Sequence, residues 1–217
     1  MITVSAFGWV PPFARGLVRD LRVRWALEEA GLPYQSRLID REVQASPAYR
    51  REQPFGQVPT YRDEDVSLFE SGAIVLHIAE RTEALLPSDP GGRARAISWM
   101  FAALNSIEPH IQNLTAIDLF FADQEWAKLR RPGAVEMAGK RLDELATWLD
   151  GRDWLEDRFT AGDLLMTSVL RIPRHTDLVT GRPVLDSYLR RCEERPAFQR
   201  ALAAQMADFA EDPPAAA

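Results

Sequence analysis

Cysteine occurs once in these 217 residues, at Cys192, so no internal disulfide can form and the chain suits a reducing, cytoplasmic setting. Lysine is nearly missing as well, since Lys128 and Lys140 are the two lysines among 26 basic residues. Positive charge is therefore carried as planar guanidinium forks suited to carboxylates. A net charge of −6 argues against a polyanion-binding surface, so nucleic acid is not expected as a partner, although a local basic site is compatible with it. No apolar run approaches the roughly 18 residues of a membrane span, and no basic leader with an apolar stretch opens the chain. His77, His110 and His175 fall in different segments without metal-ligand spacing, so no metal is expected. A phosphate-binding glycine loop and a nucleophile elbow are also missing. These absences leave a soluble globular protein.

What is present changes rhythm along the chain. Ile2 to Phe7 is a short strand-like run closed by Gly8 and Pro11-Pro12. From about Ala14 the spacing of Leu17, Leu21 and Trp25 predicts a helix, stopped by Gly31 and Pro33. Tyr34 to Asp40 reads as a strand, and Ser46-Pro47 opens a short helix with Ser as cap. Gln57 to Arg62 and Val66 to Phe69 form a hairpin, and Ser71 to Arg81 is helical. The order β-α-β-α-β-β-α requires a parallel pair with a right-handed crossover plus an antiparallel pair.

Beyond a linker at 85–92 every long segment is helical. One face runs from Ile97 through Leu104 to Leu114, with a bend expected at Pro109. Val135, Ala138, Leu142, Leu145 and Leu149 make a regular stripe, and Thr160-Ala161-Gly162-Asp163 resembles a capping box. Helices around 184–192 and 196–209 follow. The division expected is a mixed α/β domain over 1–84, the linker, an all-helical domain over 93–210 and a disordered tail over 211–217.

Two places could carry chemistry. Val58-Pro59 puts a proline in a strand pattern, which marks either an edge strand or a cis-proline beside a shaped site. In the second case the Val58 main chain could pair with an extended peptide. Glu70-Ser71 stands where the hairpin meets a helix. Ser71 there is either a plain N-cap or, with the helix amides, a seat for a carboxylate, with Glu70 holding a neighbouring ammonium.

Together, QPFGQVPTY, FESGAIVLHIAE and RVRWALEEAGLPY resemble the thioredoxin-like domain of glutathione transferases, and FTAGDLLMTSVL resembles the capping motif of that family's helical domain. The resemblance covers the whole chain, with Gly162 standing where the family usually has Ala. It implies a co-substrate, glutathione, and roles for matching positions. Val58 would bond the cysteinyl backbone with Pro59 cis, Glu70 and Ser71 would grip the γ-glutamyl group, and Gln57 and Arg41 would lie near the glycyl carboxylate. It also implies a homodimer, in which Asn105 of one subunit could reach the γ-glutamyl end of the other's ligand. A helix-bend structural role is the alternative for Asn105.

The departure from the family is at the thiol. Members usually supply a Tyr, Ser or Cys near the start of the first helix, and Trp9 to Arg24 contains no Tyr, Ser, Thr or Cys. A free thiol titrates near about 8.5, so a thiolate at neutral pH needs another source of stabilisation. Arg15 and Arg19 by charge, and Trp9 by its indole N–H, are the candidates, with surface ion pairing as the alternative for the arginines. Ser5 lies within the first strand and is weaker. Mixed-disulfide chemistry is not expected, since Cys192 lies far down the helical domain. Trp9, Phe13, Trp99 and Phe120 could line a slot for a small hydrophobic electrophile, or simply pack in the core. Two functions follow: a transferase for hydrophobic electrophiles, in detoxification, or a glutathione-binding or interaction protein that has lost thiol activation.

Overall fold

The computed structural model describes residues 1–212, which fall into two units, Met1–Leu85 with Arg195 onwards, and Leu86–Glu194. The first unit opens with β1 (Ile2–Phe7), a 3₁₀ turn (Pro12–Ala14) and α1 (Asp20–Ala30). Then come β2 (Tyr34–Ile39), α2 (Arg41–Ala45), α3 (Pro47–Glu52), β3 (Thr60–Arg62), β4 (Ser67–Phe69) and α4 (Ser71–Ala79). The sheet order is β2-β1-β3-β4, with β1 parallel to β2 and the other pairs antiparallel. This is the thioredoxin-like arrangement expected.

Two boundaries differ by three residues or more. The first helix starts at Asp20 rather than near Ala14, because Gly16 adopts φ 76° and the prolines before it hold a 3₁₀ turn. The third strand starts at Thr60 rather than Gln57, since Pro59 has no N–H to give a ladder. Caps behave as the residues dictate: the Ser46 hydroxyl accepts from the Tyr49 amide at 3.2 Å, with Pro47 in the first turn.

The helical unit contains α5 (Pro90–Phe101), a π segment (Ala102–Ile107), α6 (Glu108–Phe120), α7 (Glu125–Leu149), α8 (Ala161–Leu170) and α9 (Pro183–Glu193). Part of the expected linker is thus helix, because Asp89 caps the Gly92 amide at 2.7 Å and Pro90 suits the first turn. The bend expected at Pro109 takes the form of the π segment just before it. Proline cannot donate to the carbonyl four residues back, and the ladder widens there. Ala138, Leu142, Leu145 and Leu149 form the buried face of α7, with Val135 at its margin. The capping box is formed: Asp163 accepts from the Thr160 amide at 2.9 Å, and from the Leu155 amide and Tyr188 hydroxyl at 2.9 Å each.

The last helix, α10 (Pro196–Asp208), corrects the expected domain boundary, because it belongs to the first unit. Trp25 on α1 is fully buried, with its ring 4.8 Å from that of Phe198, centroid to centroid. Arg195 makes two bonds to Glu29 at 2.6 and 2.8 Å, and Arg200 one to Glu28 at 2.7 Å. Helix α1 therefore has no solvent face along Leu21–Leu27: it packs on β1 and α4 to one side and α10 to the other. Within the expected tail, residues 213–217 lie outside the described residues. The Ala210 amide, just ahead of it, donates to the Gly8 carbonyl at 2.8 Å.

Candidate functional site

The hairpin register builds the site. Thr60 pairs with Phe69, so Val58-Pro59 enters β3 at the same end at which Glu70-Ser71 leaves β4. The Val58–Pro59 peptide bond is cis, and both residues are buried while Gln57 is exposed. Glu70 is exposed at φ 68° and ψ 112°, a conformation that a non-glycine residue adopts at a cost of about 1–3 kcal/mol. Its side chain makes no cap to α4. Ser71 follows as the first residue of α4, buried, and its hydroxyl accepts from Arg22 Nη1 at 3.3 Å. The guanidinium leaves the serine proton available to a ligand oxygen, next to the positive end of a helix.

Beneath this edge lies a set of hydroxyls. The Tyr49 hydroxyl donates to the Gln57 carbonyl at 2.7 Å and lies 2.9 Å from Ser5 Oγ. Ser5 Oγ accepts from the Thr60 amide at 2.6 Å and lies 3.0 Å from the Thr60 hydroxyl. Ser5 is consumed by these bonds and buried, which removes it as a thiol activator. Burial, ahead of the bonds from Ser5 and Thr60, pushes the Tyr49 phenol above its ordinary value, so it stays protonated.

At the C-terminal ends of β1 and β2 a cavity of about 310 Å³ is lined by Phe7, Trp9, Leu38, Arg41, Ala210 and Asp212 among others. Trp9 and Arg41, singled out separately in the sequence, thus line the same cavity. Phe13 is exposed on the 3₁₀ turn, and Arg19 is half-buried at the start of α1. Arg15 is engaged elsewhere than expected. Its Nη2 donates to the Ala210 carbonyl at 2.9 Å and the Glu211 carbonyl at 3.4 Å, and its guanidinium lies 5.9 Å from the centroid of the Phe209 ring.

In the helical unit, Asn105 is exposed on the π segment rather than buried in the bend. Trp99 is held by its own unit, donating to Glu156 at 2.9 Å with its ring 5.2 Å from that of Trp148. Phe120 is exposed at the end of α6, and Cys192 is fully buried. Among the described residues no group of three or more His, Cys, Asp or Glu side chains could hold a metal, and no helix is long and apolar enough to cross a membrane.

Residues 14–80 match the family described as glutathione S-transferase, N-terminal domain. Over 206 residues the chain is 28% identical to glutathione S-transferase GST-4.5 of Xanthomonas campestris, a match covering 91% of this chain and 97% of that one. The chain is similar to glutathione transferases, and residues 14–80 carry that family's N-terminal domain. The chain is also 28% identical to the disulfide-bond oxidoreductase YfcG of Escherichia coli over 143 residues, 59% of this chain and 66% of that protein, slightly less than two thirds of its length. A glutathione transferase of Burkholderia graminis, solved with two glutathione molecules bound per subunit, superposes with a TM-score of 0.81 at 25% identity, covering 94% of this chain and 88% of that one. Sequence reasoning missed the contacts that Arg22, Tyr49 and Thr60 make beside this edge. The signal for Arg22 was available, since Arg22 and Arg24 sit inside an otherwise apolar run and must find partners when buried.

Proposed function

We propose that this chain binds glutathione at the Val58-Pro59 and Glu70-Ser71 edge and transfers its thiolate to a small hydrophobic electrophile. The observation carrying the reading is the hairpin register, which sets a main-chain edge for a peptide beside a carboxylate seat and an acidic group for an ammonium. Those are the three needs of a γ-glutamyl peptide. Val58 offers its main chain to the cysteinyl residue, Ser71 and the first amides of α4 take the γ-glutamyl carboxylate, and Glu70 takes its ammonium. Gln57 and Arg41 serve the glycyl carboxylate. In the reaction the thiol proton passes to water, sulfur forms a bond to carbon, and the leaving group departs with its electron pair. The charges of Arg15 and Arg19 and the indole of Trp9 favour the thiolate, and Trp9 and Phe13 offer apolar surface to the electrophile.

A homodimer and a cytoplasmic setting complete this proposal. An exposed aromatic pair in the first unit, Phe55 and Phe69 with ring centroids 6.3 Å apart, supports association, and the single buried cysteine fits a reducing compartment.

A second reading has its own support: without a hydroxyl or thiol from Trp9 to Arg24, the chain binds glutathione and acts in interaction rather than catalysis. The ultraviolet thiolate band of bound glutathione separates the two. A band rising well below the free thiol's pKa, raised again by Arg19→Ala or Arg15→Ala, supports the transferase. Saturable binding with no such shift supports the second reading.

A further inference from the structure

The cis-proline segment is gripped from underneath by a hydrogen-bond chain that includes no ligand-facing side chain. Its ends fix the direction of every proton. The Gln57 carbonyl can only accept, so the Tyr49 hydroxyl donates to it at 2.7 Å. With its one proton spent, Tyr49 must accept from Ser5 at 2.9 Å. Ser5, having given its proton, accepts from the Thr60 amide at 2.6 Å and from the Thr60 hydroxyl at 3.0 Å. The chain therefore runs one way, from Thr60 through Ser5 and Tyr49 to Gln57, and closes around Val58-Pro59. Ser5, Tyr49 and Thr60 are all buried, so no water competes for the bonds and each link polarises the next.

We propose that Tyr49 is a positioning residue for ligand binding: through Ser5 and directly, it clamps the segment 57–60 at both ends and so sets the Val58 main chain to receive a peptide. The proposal rests on the glutathione reading for the identity of that peptide, but not for the clamp itself. Tyr49 is placed for this by its own helix. Ser46 and Pro47 start α3, and the Tyr49 ring is buried with Val58 and Ile39. An aromatic position facing a core needs no hydroxyl for packing, and Phe would fill the same volume. The hydroxyl is what reaches the segment.

The test is Tyr49→Phe, which keeps the ring and deletes both links made by its hydroxyl, to Gln57 and to Ser5. Three quantities are read: glutathione affinity by calorimetry, amide hydrogen exchange at residues 57–60 in the ligand-free protein, and Tm. Tyr188→Phe serves as control, because it deletes an equally buried hydroxyl in the helical unit. The expected result for Tyr49→Phe is a Kd raised about tenfold and faster exchange at Thr60, with β2 exchange unchanged. Tyr188→Phe should lower Tm without moving either readout. Unchanged exchange at 57–60 overturns the clamp. Faster exchange with unchanged affinity overturns its link to binding. If the wild-type protein takes no glutathione, the ligand reading falls, while the exchange data still decide the clamp. Should Tyr49→Phe fail to fold, Thr60→Val deletes the outer hydroxyl link and is judged by the same criteria.

Discussion

Arg22, buried in α1, donates to the hydroxyl of Ser71 at 3.3 Å, so the residue proposed to meet a ligand carboxylate is oriented by a cation from a different element. Replacing Arg22 with Met keeps the stem and removes the charge. Glutathione Kd should rise about tenfold, with calorimetry as the check, since hydrogen bonds to charged groups contribute about 1.5–3 kcal/mol. An unchanged Kd would show that Ser71 needs no such support.

Glu70 holds φ 68°, a conformation glycine takes freely. Glu70→Gly should therefore raise Tm by a few degrees, through relief of about 1 kcal/mol, while weakening glutathione binding strongly. Glu70→Ala should weaken binding without the gain in Tm. Thermal unfolding and calorimetry on the two variants distinguish backbone relief from loss of the carboxylate.

Asp20 opens α1 with its carboxylate fully enclosed, accepting from Arg24 at 2.7 Å and Gln205 at 2.7 Å. Burial outweighs those bonds and pushes its pKa from 3.8 up to about 6. The folded state therefore holds this proton more tightly than the unfolded chain. The resulting stabilisation is fully present below 3.8 and is lost as pH rises through about 6. Asp20→Asn should flatten that part of the Tm profile between pH 4 and 6, an interval of on the order of a few kcal/mol.

Gly162 stands where the family motif usually carries Ala, and the packing gives the reason. A Cβ there would lie 2.6 Å from the Trp99 Cβ and 3.2 Å from the Ala96 carbonyl. Gly162→Ala should thus destabilise the protein by about 1–3 kcal/mol, against the helix preference for alanine. A raised Tm would mean that α5 can move aside.

Phe55, 64% exposed beside Phe69, carries the association proposal. Phe55→Ser should weaken the dimer by tenfold or more in sedimentation equilibrium and leave the monomer's circular dichroism unchanged.

The strands, the hairpin and the capping box were legible because their signals are local: alternation, turn residues, and a Thr three positions before an Asp. The edge formed by Val58-Pro59 and Glu70-Ser71 was legible through motif resemblance. Arg15 was not, because its partners, Ala210 and Glu211, lie almost two hundred residues away. Nor was the ownership of α10. Its amphipathic pattern says that a face is buried and not against which helix. Tyr49 looked like core, and is core; its hydroxyl gains meaning through Gln57 and Ser5, which periodicity cannot bring together.

The return of α10 to α1 has a consequence for synthesis. The ribosome releases the sheet and α1 well before the segment that covers Trp25 and pairs with Glu28 and Glu29, whose Arg195 lies 166 residues beyond Glu29. Until then the nascent N-terminal part carries an uncovered tryptophan and two acids without their arginines, and it is a natural client for a holdase. A stop codon anywhere before residue 196 would strand it in that state, so truncated products should be cleared rather than accumulate as half-active fragments.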